Sequence, residues 1–364
     1  MNSVITTSAP NDLHIDRKDE SVTSSMGERN RGKVPVAMFP IPCKLLTFAQ
    51  KYRKTLNLNK PPLLHSLTPF MRLLFTVILT ITCFLITFML GLLLASPLFG
   101  ISTNEILVSL SVSNDALTLH ILQYFQVLQS IGLFIIPALL AGFFFGHNSL
   151  SYLGINRFSK GWAYLLVIAI MFVSLPFINW MITINEAMQL PAFLKGVETW
   201  MKATEDQAAK LTEAFMKMPD TGSFLFNMLM IAILPAIGEE LMFRGLLQRL
   251  LKEWLKNIHV AIFISAFFFA AMHLQFYGLL PRFMLGLLFG YLFYWSGSLW
   301  VPVAAHFINN GAAVMVSWLG QLGLISGDYE NFGITDNVWL ILLSAIITGA
   351  LLVIIKRKWN SGQG

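Results

Sequence analysis

From residue 73 onward, long runs without a charged residue alternate with short polar breaks. The charge-free runs are 73–104, 116–156, 161–185, 221–238, 257–281, 283–327 and 337–355. A helix needs about 20 mostly apolar residues to cross a bilayer. The run 283–327 is long enough for two crossings and divides at Trp295-Ser-Gly-Ser298. The run 116–156 has polar flanks, Thr118, His120 and Gln123 on one side and His147, Asn148 and Ser149 on the other. It is read as one crossing, roughly 121–146. The fourth run reaches useful length only by continuing past Glu239 and Glu240. The pattern predicts an all-α, polytopic integral membrane helical bundle of about eight transmembrane helices. Membrane β-barrel strands would read as short alternating segments instead.

Composition supports this reading. Of 364 residues, 55% are apolar and 12% charged, about half the usual quarter for charged residues. A cytosolic globule of this composition could not cover itself with polar surface, and a disordered chain would be far less apolar. The net charge of +6 is spent on topology, so no nucleic acid partner is expected. Residues 1–72 hold eleven of the 25 Lys and Arg but five of the 19 acids, and 97–120 holds no Lys or Arg. Lys356, Arg357 and Lys358 close the last run. By the positive-inside rule both termini are cytoplasmic. The compact size points to a bacterial inner membrane. The first thirty residues lack an apolar h-region, so no cleavable signal peptide is expected. Cys43 and Cys83 form no disulfide framework, and the C-terminal Asn-Ser-Gly-Gln-Gly is not a prenylation box.

Three regions follow. Residues 1–65 form a polar, basic cytosolic extension, disordered up to about Lys33. Its part from Phe39 to Lys60 either lies on an anionic leaflet or, more simply, fixes orientation. Residues 66–358 form the transmembrane domain. Within it, 183–222 is an extracytoplasmic loop with an amphipathic helix, marked by Trp200, Ala208, Leu211, Phe215 and Met218 at helical spacing. That helix is a lid or docking element or, more simply, rests on the interface. Gly286-x-x-x-Gly290 has the spacing for close helix packing.

Ionisable groups inside a span cost about 2.5–3.5 kcal/mol each on insertion scales and mark function by default. The fourth run carries Glu239, Glu240 and Arg244. Glu240 and Arg244 are i, i+4 and can pair, whereas Glu239 points about 100° away. A plain helix-end ion cluster is the bland alternative. The next runs each carry one buried histidine: His273, one turn after Phe269, and His306, one turn before Asn310. Groups spaced one crossing apart on consecutive helices can converge. A straight fifth helix would carry His273 too far towards the outer half, unless tilted helices or a re-entrant turn at Gln275-Phe-Tyr-Gly278 bring it level.

Glu239-Glu240-x-x-x-Arg244, Phe269-x-x-x-His273 and His306-x-x-x-Asn310, in this order, resemble the signature of the CPBP family of CAAX proteases and bacteriocin-processing enzymes. The resemblance covers about residues 220–320. It implies an intramembrane endopeptidase acting on a membrane-associated protein or peptide substrate within the lipid bilayer. By similarity, Glu239 and His273 activate water, His306 and Asn310 stabilise the oxyanion, and Glu240 and Arg244 support the site. A buried carboxylate and water-excluded donors suit those tasks. No cofactor is favoured. A zinc-dependent metalloprotease form stays open, with Glu239, His273 and His306 as a three-ligand set, although no His-Glu-x-x-His helix is present. A non-enzyme is the other class: an immunity or transport-type protein using the same polar cluster. Transporters usually show repeat symmetry, and none is visible here.

Overall fold

The computed structural model describes residues 62–110, 116–188, 190–325 and 335–361. The predicted extension up to residue 61 lies outside them. The described residues belong to one compact unit running from Leu58 to Gly364. Their regular structure is helical throughout.

In chain order the helices are α1 (Pro69–Phe99), α2 (Thr103–Ser109), α3 (Ala116–Phe145), α4 (Gly161–Val173), α5 (Leu175–Glu186), α6 (Lys195–Phe215), α7 (Thr221–Leu255), α8 (Ile258–Ala271), α9 (Leu279–Ser296), α10 (Trp300–Gln321) and α11 (Val338–Asn360). The chain is a multi-pass integral membrane protein. Five segments are long and apolar enough to cross: α1, α3, α7, α9 with the turn before it, and α11. The α4–α5 pair, bent by 45° at Ser174, makes a sixth if taken as one span. Helix α8 has only 14 residues, and α10 carries His306, Asn309, Asn310 and Gln321 among its 22. The eight predicted crossings therefore all fold as helical segments in the predicted order, while among the described residues five or six meet the length and apolarity of a crossing. Gly297, at φ +64, separates α9 from α10 where the Trp-Ser-Gly-Ser break was expected.

Helix α7 is the central element. It packs against α1, α3, α8, α9 and α10. All six residues from Leu241 to Leu246 are buried, which is the mark of a helix enclosed on every side. By contrast, α1 turns Val77, Ile78, Ile81, Leu85, Met89 and Leu93 outward. Such an apolar face is unstable in water and is at ease against acyl chains. Close approach of α8 and α9 depends on two glycines. A Cβ at Gly286 would lie 2.9 Å from Ala266 Cβ, and one at Gly290 would lie 2.8 Å from Ile262 Cγ2.

Two π-helical turns interrupt α7, at Met228–Ile233 and Leu241–Leu247. Such turns are frequent at functional sites. The first precedes Pro235. Proline has no N–H to offer the carbonyl one turn back, so Ile231 O is left to seek another donor.

The loop 183–222 contains α6. Of its predicted apolar face, Phe215 and Met218 are buried and Ala208 and Leu211 half-buried. Trp200 stays exposed, although its ring lies 5.2 Å from that of Phe276.

Candidate active site

Glu239 and Glu240 are neighbours in sequence with different surroundings. Glu240 is fully buried. Its Oε1 accepts from Arg244 Nη1 at 2.8 Å and lies 2.9 Å from His306 Nδ1. A carboxylate oxygen accepts, so the His306 Nδ1–H donates and Nε2 is left free to face elsewhere. Arg244 is 1% exposed. It donates through Nη2 to Gly286 O at 3.1 Å and sits 4.4 Å over the Phe269 ring. The predicted i, i+4 pair is thus formed, buried, and joined by a histidine from α10.

Glu239 has no hydrogen bond among the described residues. Its Oε2 stands 4.0 Å from His306 Nε2. That separation is too long for a direct hydrogen bond and is wide enough for a bridging water. The His306 ring is held between aromatic neighbours, stacked on Phe289 at 5.3 Å and edge-on to Phe269 at 5.7 Å.

His273 is not a buried residue inside a helix, as the sequence reading had it. Helix α8 ends at Ala271, and His273 lies in the turn beyond it, exposed. Leu274 takes φ +53, a left-handed conformation that is strained for leucine. A short 3₁₀ turn, Phe276–Gly278, then leads into α9. A turn therefore stands at Gln275–Gly278, and the helix breaks before it. His273 Nδ1 donates to Phe269 O at 2.9 Å, which leaves Nε2 as the acceptor. The ring is within electrostatic reach of Glu239, His306 and Arg282.

Asn310 is half-buried and engaged. Its Nδ2 donates at 3.0 Å to Ile231 O, the carbonyl that Pro235 leaves without a helical partner. Its Oδ1 accepts from Asn309 Nδ2 at 3.1 Å.

Two residues outside the motifs shape the site. Asn185, buried at the end of α5, donates to Phe276 O at 3.0 Å and accepts from Leu280 N at 2.7 Å, which clamps the turn after His273. Arg282 bonds the backbone and side chain of Gln275 in the same turn. A buried Asn near the end of an apolar run was the only signal for the first. Beside this turn opens a cavity of about 910 Å³, walled by Leu175, Ile178, Leu285 and Val316, with Arg282 and Asn309 among its polar groups.

Residues 221–312 match the family described as type II CAAX prenyl endopeptidase Rce1-like. The match encloses all three motifs and agrees with a CPBP family protease. Over 86 residues the chain is 30% identical to an uncharacterized protein, YpbD, of Bacillus subtilis (strain 168). That stretch is 22% of this chain and 41% of the relative, so the chain spans about two fifths of the curated protein it matches. No solved structure matches.

The zinc alternative needs three convergent ligands. Among the described residues, no group of three His, Cys, Asp or Glu side chains is placed to hold a metal ion. His306 and His273 spend Nδ1 on Glu240 and on Phe269 O and each keep Nε2 open, a pattern that a metal-binding histidine also shows.

Proposed function

We propose that this chain is an intramembrane endopeptidase of the CAAX-protease type, with Glu239 as its general base. One observation carries the reading. Of two adjacent carboxylates in the bundle, Glu240 is neutralised by Arg244 and bonded to His306, while Glu239 is unbonded and faces the free nitrogen of the same histidine. This division lets one carboxylate hold the site and the other take a proton.

In the proposed reaction a water beside Glu239 gives up a proton to the carboxylate, and its oxygen adds to the scissile carbonyl. His273 Nε2 accepts a hydrogen bond from that water and helps orient it. The negative charge on the carbonyl oxygen is met by His306 and by the second N–H of the Asn310 amide. The C–N bond then breaks, and the proton held by Glu239 passes to the leaving amine. The 910 Å³ cavity is of a size for a short peptide segment, and its lining joins apolar residues such as Leu175, Ile178 and Leu285 to Glu186, Glu205, Glu213 and Arg282, which suits a segment with both apolar and polar groups.

The test is cleavage of a prenylated reporter peptide by the reconstituted full chain. Glu239→Gln should be inactive yet fold and insert like the wild type. Elemental analysis should find activity without stoichiometric metal. One tightly held zinc per chain, lost together with activity in His273→Ala, would replace the glutamate mechanism with the zinc-dependent form.

A further inference from the structure

A second cavity, of about 510 Å³, lies at the other end of α7. Four cations line it: Arg157 from the segment before α4, and Arg249, Lys252 and Lys256 from the last turns of α7. Gln248, Glu253, Ile258 and Tyr294 complete much of the wall. Glu253 is its one acid, and that carboxylate is already paired with Arg72 at 3.3 Å. The cations have no carboxylate of their own. Arg249 rests 4.8 Å over the Tyr152 ring, and Lys252 Nζ lies 5.8 Å from that of Tyr294. Arg157 and Arg249 are near enough to repel each other, and Glu253, which attracts Arg249 more strongly, is shared with Arg72.

Two further features favour an anion there. Ile258, in the cavity wall, is the first residue of the 14-residue α8, so the positive end of that helix dipole points to the same space. Lys256 adopts φ 56 at the end of α7, a conformation glycine takes more cheaply, and it brings a fourth charge to the rim. The two lysines also suit the negative end of their own helix. Arg157 comes from a different segment, and its convergence on the cavity is not explained that way.

The site lies on the side that the Lys and Arg distribution assigns to the cytoplasm. Lys356 reaches the same end, 5.9 Å from the Trp295 ring. Trp254 and Tyr294 are exposed near it, in keeping with the aromatic residues that settle at headgroup depth. We propose that this cavity is a phosphate-binding site, occupied in the membrane by the headgroup of an anionic phospholipid. The cavity is separate from the catalytic cluster, so the proposal stands or falls apart from the protease reading.

The test uses the full chain in nanodiscs of phosphatidylcholine alone or mixed with phosphatidylglycerol, with lipid retention read by native mass spectrometry and unfolding followed by heat. A basic side chain near an anionic surface is worth about fivefold in affinity. The triple variant R157Q/K252Q/K256Q changes only exposed side chains and should weaken phosphatidylglycerol retention by about a hundredfold. The control K356Q/R357Q/K358Q removes equal charge at the same end and should retain the lipid. Inorganic phosphate added in detergent separates the two sources. Protection by lipid alone assigns the headgroup, and equal protection by inorganic phosphate assigns a soluble phosphate ester to the same site. Retention unchanged in the triple variant, equal loss in the control, or no protection by either ligand would overturn the site.

Discussion

Glu240 and Arg244 are sealed against each other in the middle of α7, whereas Arg249, Lys252 and Lys256, further along the same helix, line an open cavity with no carboxylate of their own. The first group is surrounded by protein, so each charge depends on its partner. The second lines an open cavity, where water can solvate each charge. One helix thus separates charges that hold the fold from charges that can meet a ligand, and burial makes the difference. Glu239, next to the sealed pair yet unbonded, is the exception on which the proposed chemistry rests.

Substitutions can break this comparison, beginning with the largest effect. Glu239→Gln should lower peptide cleavage by about 10²–10⁴-fold, the usual worth of a general base, with thermal unfolding in detergent unchanged. Residual activity near wild type would remove Glu239 from the reaction. Arg244→Ala should destabilise the fold by about 3–5 kcal/mol, because it strands the Glu240 carboxylate. Chemical unfolding of that variant should therefore shift strongly, and normal stability would mean the pair is not sealed. Gly290→Ala tests the packing between the two groups, where the added Cβ meets Ile262 and the Gln248 side chain. Overpacking of this kind costs about 1–3 kcal/mol, read in the same unfolding experiment. Lys252→Gln should stay within about 0.5 kcal/mol of wild type, as exposed substitutions do.

The smallest effect is in acid. Asp220 caps the start of α7 and accepts from Ser223 N at 2.7 Å and from Ser223 Oγ at 3.0 Å. These bonds hold its carboxyl below the ordinary value of 3.8. A carboxyl with a lowered folded-state pKa stabilises fully above its unfolded value, and that contribution fades as the pH falls through the folded one. The protection of amides at the first turn of α7, taken relative to their intrinsic exchange rate at each pH, should therefore fall below about pH 4 in wild type and be lowered already at neutral pH in Asp220→Ala.

Much of the bundle could be read from charge-free runs, because a bilayer demands apolar length and little else. The pairing of Glu240 with Arg244 was equally legible, since i, i+4 spacing on a helix leaves little choice. The position of His273 was not. Its run reads as continuous through residue 281, and the break depends on the left-handed turn at Leu274 and the clamp from Asn185, a contact made across distant helices. The bond between Asn310 and Ile231 was hidden for a similar reason. It exists because Pro235 frees a carbonyl, and nothing in the sequence says which neighbour will take it. The basic cavity joins Arg157 to residues more distant along the chain, and no spacing rule links them.

The brevity of α8 has a mechanical consequence for the membrane itself. Its 14 residues extend about 21 Å at 1.5 Å per residue, well short of a hydrocarbon core of about 30 Å. A short apolar helix at the protein's edge is matched by thinning of the lipid beside it. The surface of the bilayer should then dip next to the turn that bears His273. Such a depression would lower the distance that water and a polar backbone must travel through oil to reach Glu239. Spin labels placed near the end of α8 should accordingly report water at a depth where labels on α1 report only acyl chains.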